Sequence, residues 1–403
     1  MPAPTSVVRD AIAALPAHLP FAVLDCDDEG TLICWGEDGR VPPGPTWADD
    51  ARALLSGPPP PTQGGPSPGL VGWLGYEAGR WCERMPESAA PRVLPDLCLW
   101  RPLGARWLAA GGWPSVVPPS GLPPVPADQA APQRYVEAVE RLLGHIADGD
   151  VYQANLAWQS LPLDCADPIE AWLRLRTHNP ARRGALLSID GIVVASNSPE
   201  LFLRVQSADR MGNASRARSI PIKGTAVGTE VGRAHLQHSA KERAELTMIV
   251  DMVRNDLGRV AVPGGVRAAP RSLVRCGDLW HAEQAVEAEG PAGVDAIDWV
   301  CAAFPPASVT GAPKVRAMQL IAALENGPRG IYTGAIGWLG AAGDAHLNVA
   351  IRTLICAQGT AQFHVGAGIV AASSPAAEWA ETCAKAAALC RALGLTPPAS
   401  EAP

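Results

Sequence analysis

Three things are missing from this chain, and each absence removes a class of function. There is no basic excess: 33 Lys and Arg face 40 Asp and Glu, a formal net charge of −7, so the footprint of a nucleic-acid partner is lacking. An anionic substrate must therefore be met by locally placed cations. No apolar run is long enough to cross a bilayer, and the opening MPAPTSVVRDAIAALPAHLP has neither the basic start nor the unbroken apolar stretch of a signal peptide. The ten cysteines stand singly, without a C-x-x-C pair, which argues against a zinc site or a redox pair. They read as small buried apolar residues in a reducing compartment, and the expected location is the cytoplasm, with no membrane partner.

What is present suits a protein with a substantial core: 403 residues, 47% hydrophobic and 18% charged. Two Pro/Gly-rich stretches, Gly57 to Gly69 and Pro114 to Pro132, read as surface loops or linkers. The composition changes after the second, which places an expected division into 1–127, 128–397 and a tail 398–403. A long proline-rich loop within one domain is the alternative.

Downstream the periodic signals sharpen. Val136, Val139, Leu143 and Ile146 recur at helical spacing until Asp148-Gly149. VYQANLAWQ alternates as a strand, with Tyr152, Ala154, Leu156 and Trp158 on one face and Gln153 and Asn155 on the other. Two β-rich runs between Leu186 and Leu203 surround Asp190-Gly191, a hairpin-type turn. Ser239 with Glu242 opens a helix that buries Leu246, Ile249, Val250, Val253 and Leu257. A further helix spans about Pro313 to Glu325. Strands are expected around Ile331–Leu339, Leu347–Cys356 and Gln362–Val370, and Ser374-Pro375 caps the last helix. Strands and helices follow no strict βαβ order, which favours an α+β body over a doubly wound sheet.

Three constellations carry possible chemistry. Glu378, Glu381 and Lys385 share one face of the last helix. Alone they describe a solvated face, but the preceding strand ends in Gly366-Ala367-Gly368, where a backbone admits close approach of a ligand. Glu242 and Glu245 form a second carboxylate pair. Two such pairs on facing helices have the hard oxygens that suit Mg²⁺. Lys223 lies between apolar residues and Gly224 in SIPIKGTAVGTE; it either snorkels to solvent or is a desolvated nucleophile.

These segments, in the order SNSPELFL, PIKGT, ERAELTMIVDMVRNDLGRV, FPPASVTGAPKVRAM, RGIYTGAIGW, NVAIRTL and GAGIVAASSPAAEWAETCAK, resemble the chorismate-binding enzymes over roughly Pro132 to Leu395, and GLVGWLGYEAGR resembles their N-terminal part. The resemblance implies two large antiparallel β-sheets packed as a sandwich with helices outside. It implies Mg²⁺ held by Glu245 and Glu381, with Glu242 and Glu378 in support, clamping the ring carboxylate of chorismate. Arg352 and Tyr332 resemble the residues that hold the enolpyruvyl carboxylate. Thr310, Gly366, Ala367, Gly368 and Lys385 complete the implied substrate pocket. Glu200 matches the acid that assists departure of the C4 hydroxyl, and His281 a histidine near the same region. The chain departs from the family at Pro306-Ala307, where glycines are usual, and in LWHAEQAV around His281.

Within the family, Gln153 stands where water-adding members carry a basic lysine, and a glutamine amide is no such base. Lys223 in PIKGT resembles the members that make 4-amino-4-deoxychorismate; anthranilate-forming members usually have alanine there. The implied role of Lys223 is covalent attack at C2, followed by ammonia at C4. An anthranilate-forming enzyme in which Lys223 merely contacts substrate is the alternative. No cysteine lies in a G-x-C-x-G setting, so ammonia is expected from a separate glutamine amidotransferase or from solution.

Overall fold

The computed structural model describes residues 2–83, 85, 94–111, 131–207, 214–276, 279–396 and 398. The expected boundary at 127/128 lies outside the described residues, as does nearly all of the tail.

Many strands here are apolar at every position rather than at alternate ones, and the architecture explains why. In Pro68–Leu74 all seven residues are buried. Val71 and Trp73 face one core while Leu70 and Leu74 face another. In Phe21–Asp25, likewise, Ala22 and Leu24 face inward and Phe21 and Val23 outward. Strands covered on both faces lose the polar half of their alternation. An eleven-stranded sheet and an eight-stranded sheet pack face to face, joined by a core that includes Leu32, Trp73, Trp100, Leu187, Ile336 and Trp338. Helices cover the outer faces. Thr5–Ala13, Pro168–His178 and Pro375–Ala392 lie against the first sheet, and Trp47–Leu55, Ala240–Gly258 and Ala296–Ala303 against the second. The expected sandwich with helices outside is the observed fold.

The sheets interleave distant parts of the chain. Phe21–Asp25 pairs with Arg183–Ile189, and Pro68–Leu74 with Ala335–Gly340, both antiparallel. A separate three-stranded sheet of Ile222–Val227, Leu279–Glu283 and Ser272–Cys276 carries Lys223 and His281.

Local signals acted as expected at several points. Asp190 and Gly191, at φ 52° and 75°, turn the hairpin between Arg183–Ile189 and Ile192–Ser198. Ser239 accepts the N–H of Glu242, and Ser374 that of Ala377, at the starts of their helices. Three expectations need correction. The run Leu347–Cys356 is two strands, Ala345–Val349 in the second sheet and Thr353–Ala357 in the first, because the chain changes sheets at Ala350–Arg352, with Arg352 at φ 51°. The strand expected from Ile331 begins at Ala335, after a turn in which Thr333 has φ 62°. Gly366-Ala367-Gly368 lies inside the strand Thr360–Val370, not at its end. Among the described residues no helix is long and apolar enough to cross a membrane.

Candidate active site

The floor of the site is a strip of nearly bare backbone. Along Thr360–Val370 side chains alternate: Ala367 and Ile369 enter the core beneath helices Ala131–Ala147 and Lys314–Leu324, so Gly366 and Gly368 face the other way. The neighbouring strand, Gln153–Gln159, sends Ala154 and Leu156 into that same core and turns Gln153 and Asn155 to the glycine side. A Cβ on Gly366 would stand 2.9 Å from both Asn155 Oδ1 and Tyr332 Oη, and 2.5 Å from the Leu156 carbonyl oxygen. On Gly368 it would stand 2.6 Å from Lys223 Nζ and 3.0 Å from Gln153 Nε2. The absent side chains are therefore what lets these four groups converge.

Polar atoms on this strip are buried without a partner, namely both amide atoms of Gln153 and Asn155 Oδ1, as is His281 Nε2 on the three-stranded sheet. Leaving such a group unpaired costs about 1–3 kcal/mol. Gln153 and Asn155 share one face of their strand, so their unpaired amides offer a polar ligand a joint surface.

Electrostatics sharpen the picture. Burial lowers the pKa of Lys223, and Lys385 lowers it further, against the attraction of Glu245, Glu381 and Glu200. The Lys223 residue as a whole is half-buried, its amine being the enclosed part beside Gly368 and Gln153. Glu200 is buried, and desolvation pushes its pKa up to about 7, opposed by a hydrogen bond with Ser308, the charges of Lys223 and Arg183, and the Ile222 N–H. A carboxyl group so placed keeps a proton to donate near neutrality. His281 is buried beside Thr225 Oγ1 (Nδ1 at 3.0 Å); burial first, and then Arg352, bring its pKa down to about 3, so it is neutral.

The carboxylates meet across two helices. Glu245 has its pKa raised by burial, and then by Glu242 and Glu381, against Lys223 and Lys241. Glu378, buried, is raised by burial and by Glu381. Burial alone would raise Glu381 too, but Lys385, at 2.6 Å, and then Lys223 and Lys241 outweigh it and lower its pKa. Lys385 also donates to the Gly366 carbonyl oxygen at 2.9 Å. Glu242 stands beside Gly224, where a Cβ would meet its Oε2 at 2.7 Å. Among the described residues no three His, Cys, Asp or Glu side chains form a ready-made metal cage. Mg²⁺ asks for less, since it takes one or two carboxylates with waters and substrate oxygens. The mutually repelling Glu245 and Glu381 fit that demand.

The remaining expected residues fall as follows. Tyr332 is buried, stacked on His364 at 5.4 Å and 15°, with the Arg329 guanidinium 5.8 Å from its ring centroid. Arg352 sits at the crossover between the sheets, and its carbonyl accepts the Asn197 N–H at 3.0 Å. Thr310 is fully buried, its hydroxyl donating within its own loop to the carbonyls of Pro306 and Ala307. Ala367 contributes backbone alone to the strip. Sequence reasoning assigned no role to Asn155, Ser308 or Thr225. The alternation of QANL carried a signal for Asn155, because it puts an amide on the face of Gln153.

A family model described as chorismate binding enzyme matches residues 118–391. Among curated relatives, a 2-amino-4-deoxychorismate synthase of Streptomyces globisporus is 35% identical over 353 residues, 79% of this chain and 71% of the relative. An anthranilate synthase component 1 of Haloarcula marismortui is 34% identical over 374 residues, 81% of this chain and 76% of the relative. An aminodeoxychorismate synthase component 1 of Bacillus subtilis is 37% identical over 269 residues, 65% of this chain and 56% of the relative. With the family model covering most of its length and the glycine strip, carboxylates and buried acid gathered around Lys223, the chain belongs to the chorismate-binding enzymes.

Proposed function

We propose that this protein is the synthase component of an aminodeoxychorismate synthase, converting chorismate and ammonia to 4-amino-4-deoxychorismate and water, with ammonia supplied by a separate glutamine amidotransferase. The observation that carries the reading is Lys223: its amine lies beside Gly368 and Gln153, with its pKa lowered by burial. A neutral amine is a nucleophile, and an ammonium ion is not. Lys223 Nζ forms a bond to C2 as the ring double bond shifts, and the C4 oxygen takes the proton of Glu200 and leaves as water. Ammonia then bonds to C4, the double bond returns, and the C2–N bond breaks, giving its electron pair back to Lys223. The proton shed by the new C4 ammonium restores Glu200.

Gln153 stands within reach of the same region and is no base, which disfavours attack by water. Glu245 and Glu381 would hold Mg²⁺, whose chemistry is to neutralise and orient the ring carboxylate. Arg352 and Tyr332 hold the enolpyruvyl carboxylate, a task suited to a guanidinium fork. His281, kept neutral, offers Nε2 without adding a charge. Thr310 shapes the wall, and Lys385 holds the Gly366 carbonyl and Glu381 in place.

Amination at C2, as the names of the Streptomyces globisporus and Haloarcula marismortui relatives imply for those proteins, is the competing outcome. Product analysis with chorismate, Mg²⁺ and ammonium decides. 4-Amino-4-deoxychorismate is expected as the main product. Dominant anthranilate fluorescence, or an amine at C2, overturns the assignment.

A further inference from the structure

Apart from the cleft just described, the molecule holds a cavity of ≈ 300 Å³ between the segment Tyr76–Trp81 and the helix Lys314–Leu324. That volume is at the lower end of what small-molecule sites offer. Its two sides differ in chemistry. One is apolar and soft, built by Met85, Met318 and Ile321, a satellite cluster separate from the main cores. The other carries Glu77, Arg80, Glu325 and Arg329.

Arg80 is paired with Asp96 at 2.6 Å. Arg329, fully buried, is paired with Glu325 at 2.6 Å, and its remaining N–H groups go to the Val309 and Asn155 carbonyls and the Thr333 hydroxyl. Neither arginine is left over for an anion. Glu77, by contrast, forms no ion pair among the described residues: its oxygens accept only backbone N–H groups, from Arg329 at 2.7 Å and Gly330 at 3.0 Å. Burial first, and then Asp96, raise its pKa, against the backbone N–H groups it accepts and the Arg329 charge. The carboxylate has lone pairs to spare, and among the described lining residues it is the acid without an ion pair. The Tyr76 hydroxyl is also buried without a partner.

We propose that this cavity is a binding site for a small organic cation, an ammonium group carried on an apolar body of about phenylethyl size. The ammonium sits against the Glu77 carboxylate, and the body lies among Ile321, Met85 and Met318, the two methionine thioethers adapting to irregular shapes. The site also has a mechanical connection to the catalytic cleft. Glu77 and Tyr76 hold the backbone of Arg329 and Gly330 with three hydrogen bonds, the third from Tyr76 N–H to the Gly330 carbonyl at 2.7 Å. Two residues farther on, Tyr332 stands over Gly366. A cation that draws on the Glu77 oxygens loosens their grip on that turn, so occupancy lowers turnover.

The test titrates the full chain with 2-phenylethylamine, 3-phenylpropionate and ethylbenzene, reading binding by calorimetry and by ligand-observed NMR, with no dependence on which product the enzyme makes. The amine is expected to saturate one site with a Kd below about 1 mM, and the anion and the hydrocarbon to bind at least tenfold more weakly, or not at all. Ala322→Trp, on the exposed rim of the cavity, fills it without disturbing the core and is expected to abolish binding. Glu77→Gln is expected to weaken it at least tenfold. Equal binding of the three probes, amine binding unchanged in Ala322→Trp, or no amine binding to a folded wild type overturns the proposal. Occupancy without any fall in turnover overturns the coupling to Tyr332. Failure of the C4-amination reading alone leaves the calorimetric result standing.

Discussion

Replacing Glu200 with glutamine should separate catalysis from stability. Glu200 is 4% exposed, and its pKa of about 7 compares with the usual 4.5 for this side chain. The sign follows from which state holds the proton. Below pH 4.5 both folded and unfolded chains are protonated, and the group contributes nothing. Between 4.5 and 7 the unfolded chain ionises while the folded one keeps its proton, so stability falls as pH rises. Above 7 the loss is complete. The displacement from 4.5 to about 7 is worth about 3 kcal/mol. Glutamine has the shape of the protonated acid and cannot ionise, so Glu200→Gln should escape that loss. The melting temperature of the variant relative to wild type should then rise by a few degrees between pH 4.5 and 8. Turnover should meanwhile fall by a factor on the order of 10² or more, since the amide has no proton to give the leaving hydroxyl. Scanning fluorimetry across that pH range and a chorismate turnover assay at pH 7 test both halves. A melting difference flat with pH would refute the claim that burial keeps Glu200 protonated; retained turnover would refute its role as acid.

Other outcomes follow from the same geometry. Lys223→Ala should bind chorismate with little loss while turnover falls by at least about 10²-fold, and intact mass spectrometry with chorismate but no ammonia should show an adduct on wild type that the variant lacks. Near wild-type aminodeoxychorismate formation by Lys223→Ala would remove the covalent step. Gly368→Ala should fold normally, because the new methyl meets the mobile end of Lys223 and the Gln153 amide, yet lose about 10-fold or more in turnover through displacement of the amine. Unchanged rates would place the chemistry elsewhere. Glu245→Gln and Glu381→Gln should each raise the Mg²⁺ concentration needed for half-maximal activity; chelator-resistant activity in either would exclude a ligand role.

The parts legible in the sequence were those in which neighbouring residues decide the outcome. Ser239 and Ser374 announce their helices because a cap is a contact over three residues, and Asp190-Gly191 announces its hairpin because the turn needs positive φ at both positions. The break at Arg352 was not legible. Nothing local distinguishes ten apolar-rich residues in one strand from two strands in facing sheets, since both strands are largely buried. Glu200 and Lys223 were singled out by motif, but their electrostatic state depends on residues brought from far along the chain. Glu200 meets Ser308, and Lys223 meets Lys385 and Gln153. Asn155 was placed on the correct face of its strand without a task, because its partner Gly366 lies some two hundred residues away.

The pairing of Pro68–Leu74 with Ala335–Gly340 also sets a timetable for biosynthesis. During translation at about 5–20 residues per second, the earlier strand, whose other edge pairs with the nearby Leu97–Trp100, waits roughly 13–50 s for this second partner, made about 260 residues later. Throughout that interval a segment destined to be buried on both faces is exposed to the crowded surroundings of the ribosome. Long-range pairing of this kind makes folding slow and exposes it to aggregation. Early arrest of synthesis therefore leaves a chain with unpaired, apolar β-segments, and binding by chaperones that recognise such segments is expected to decline only once residues beyond Gly340 have emerged.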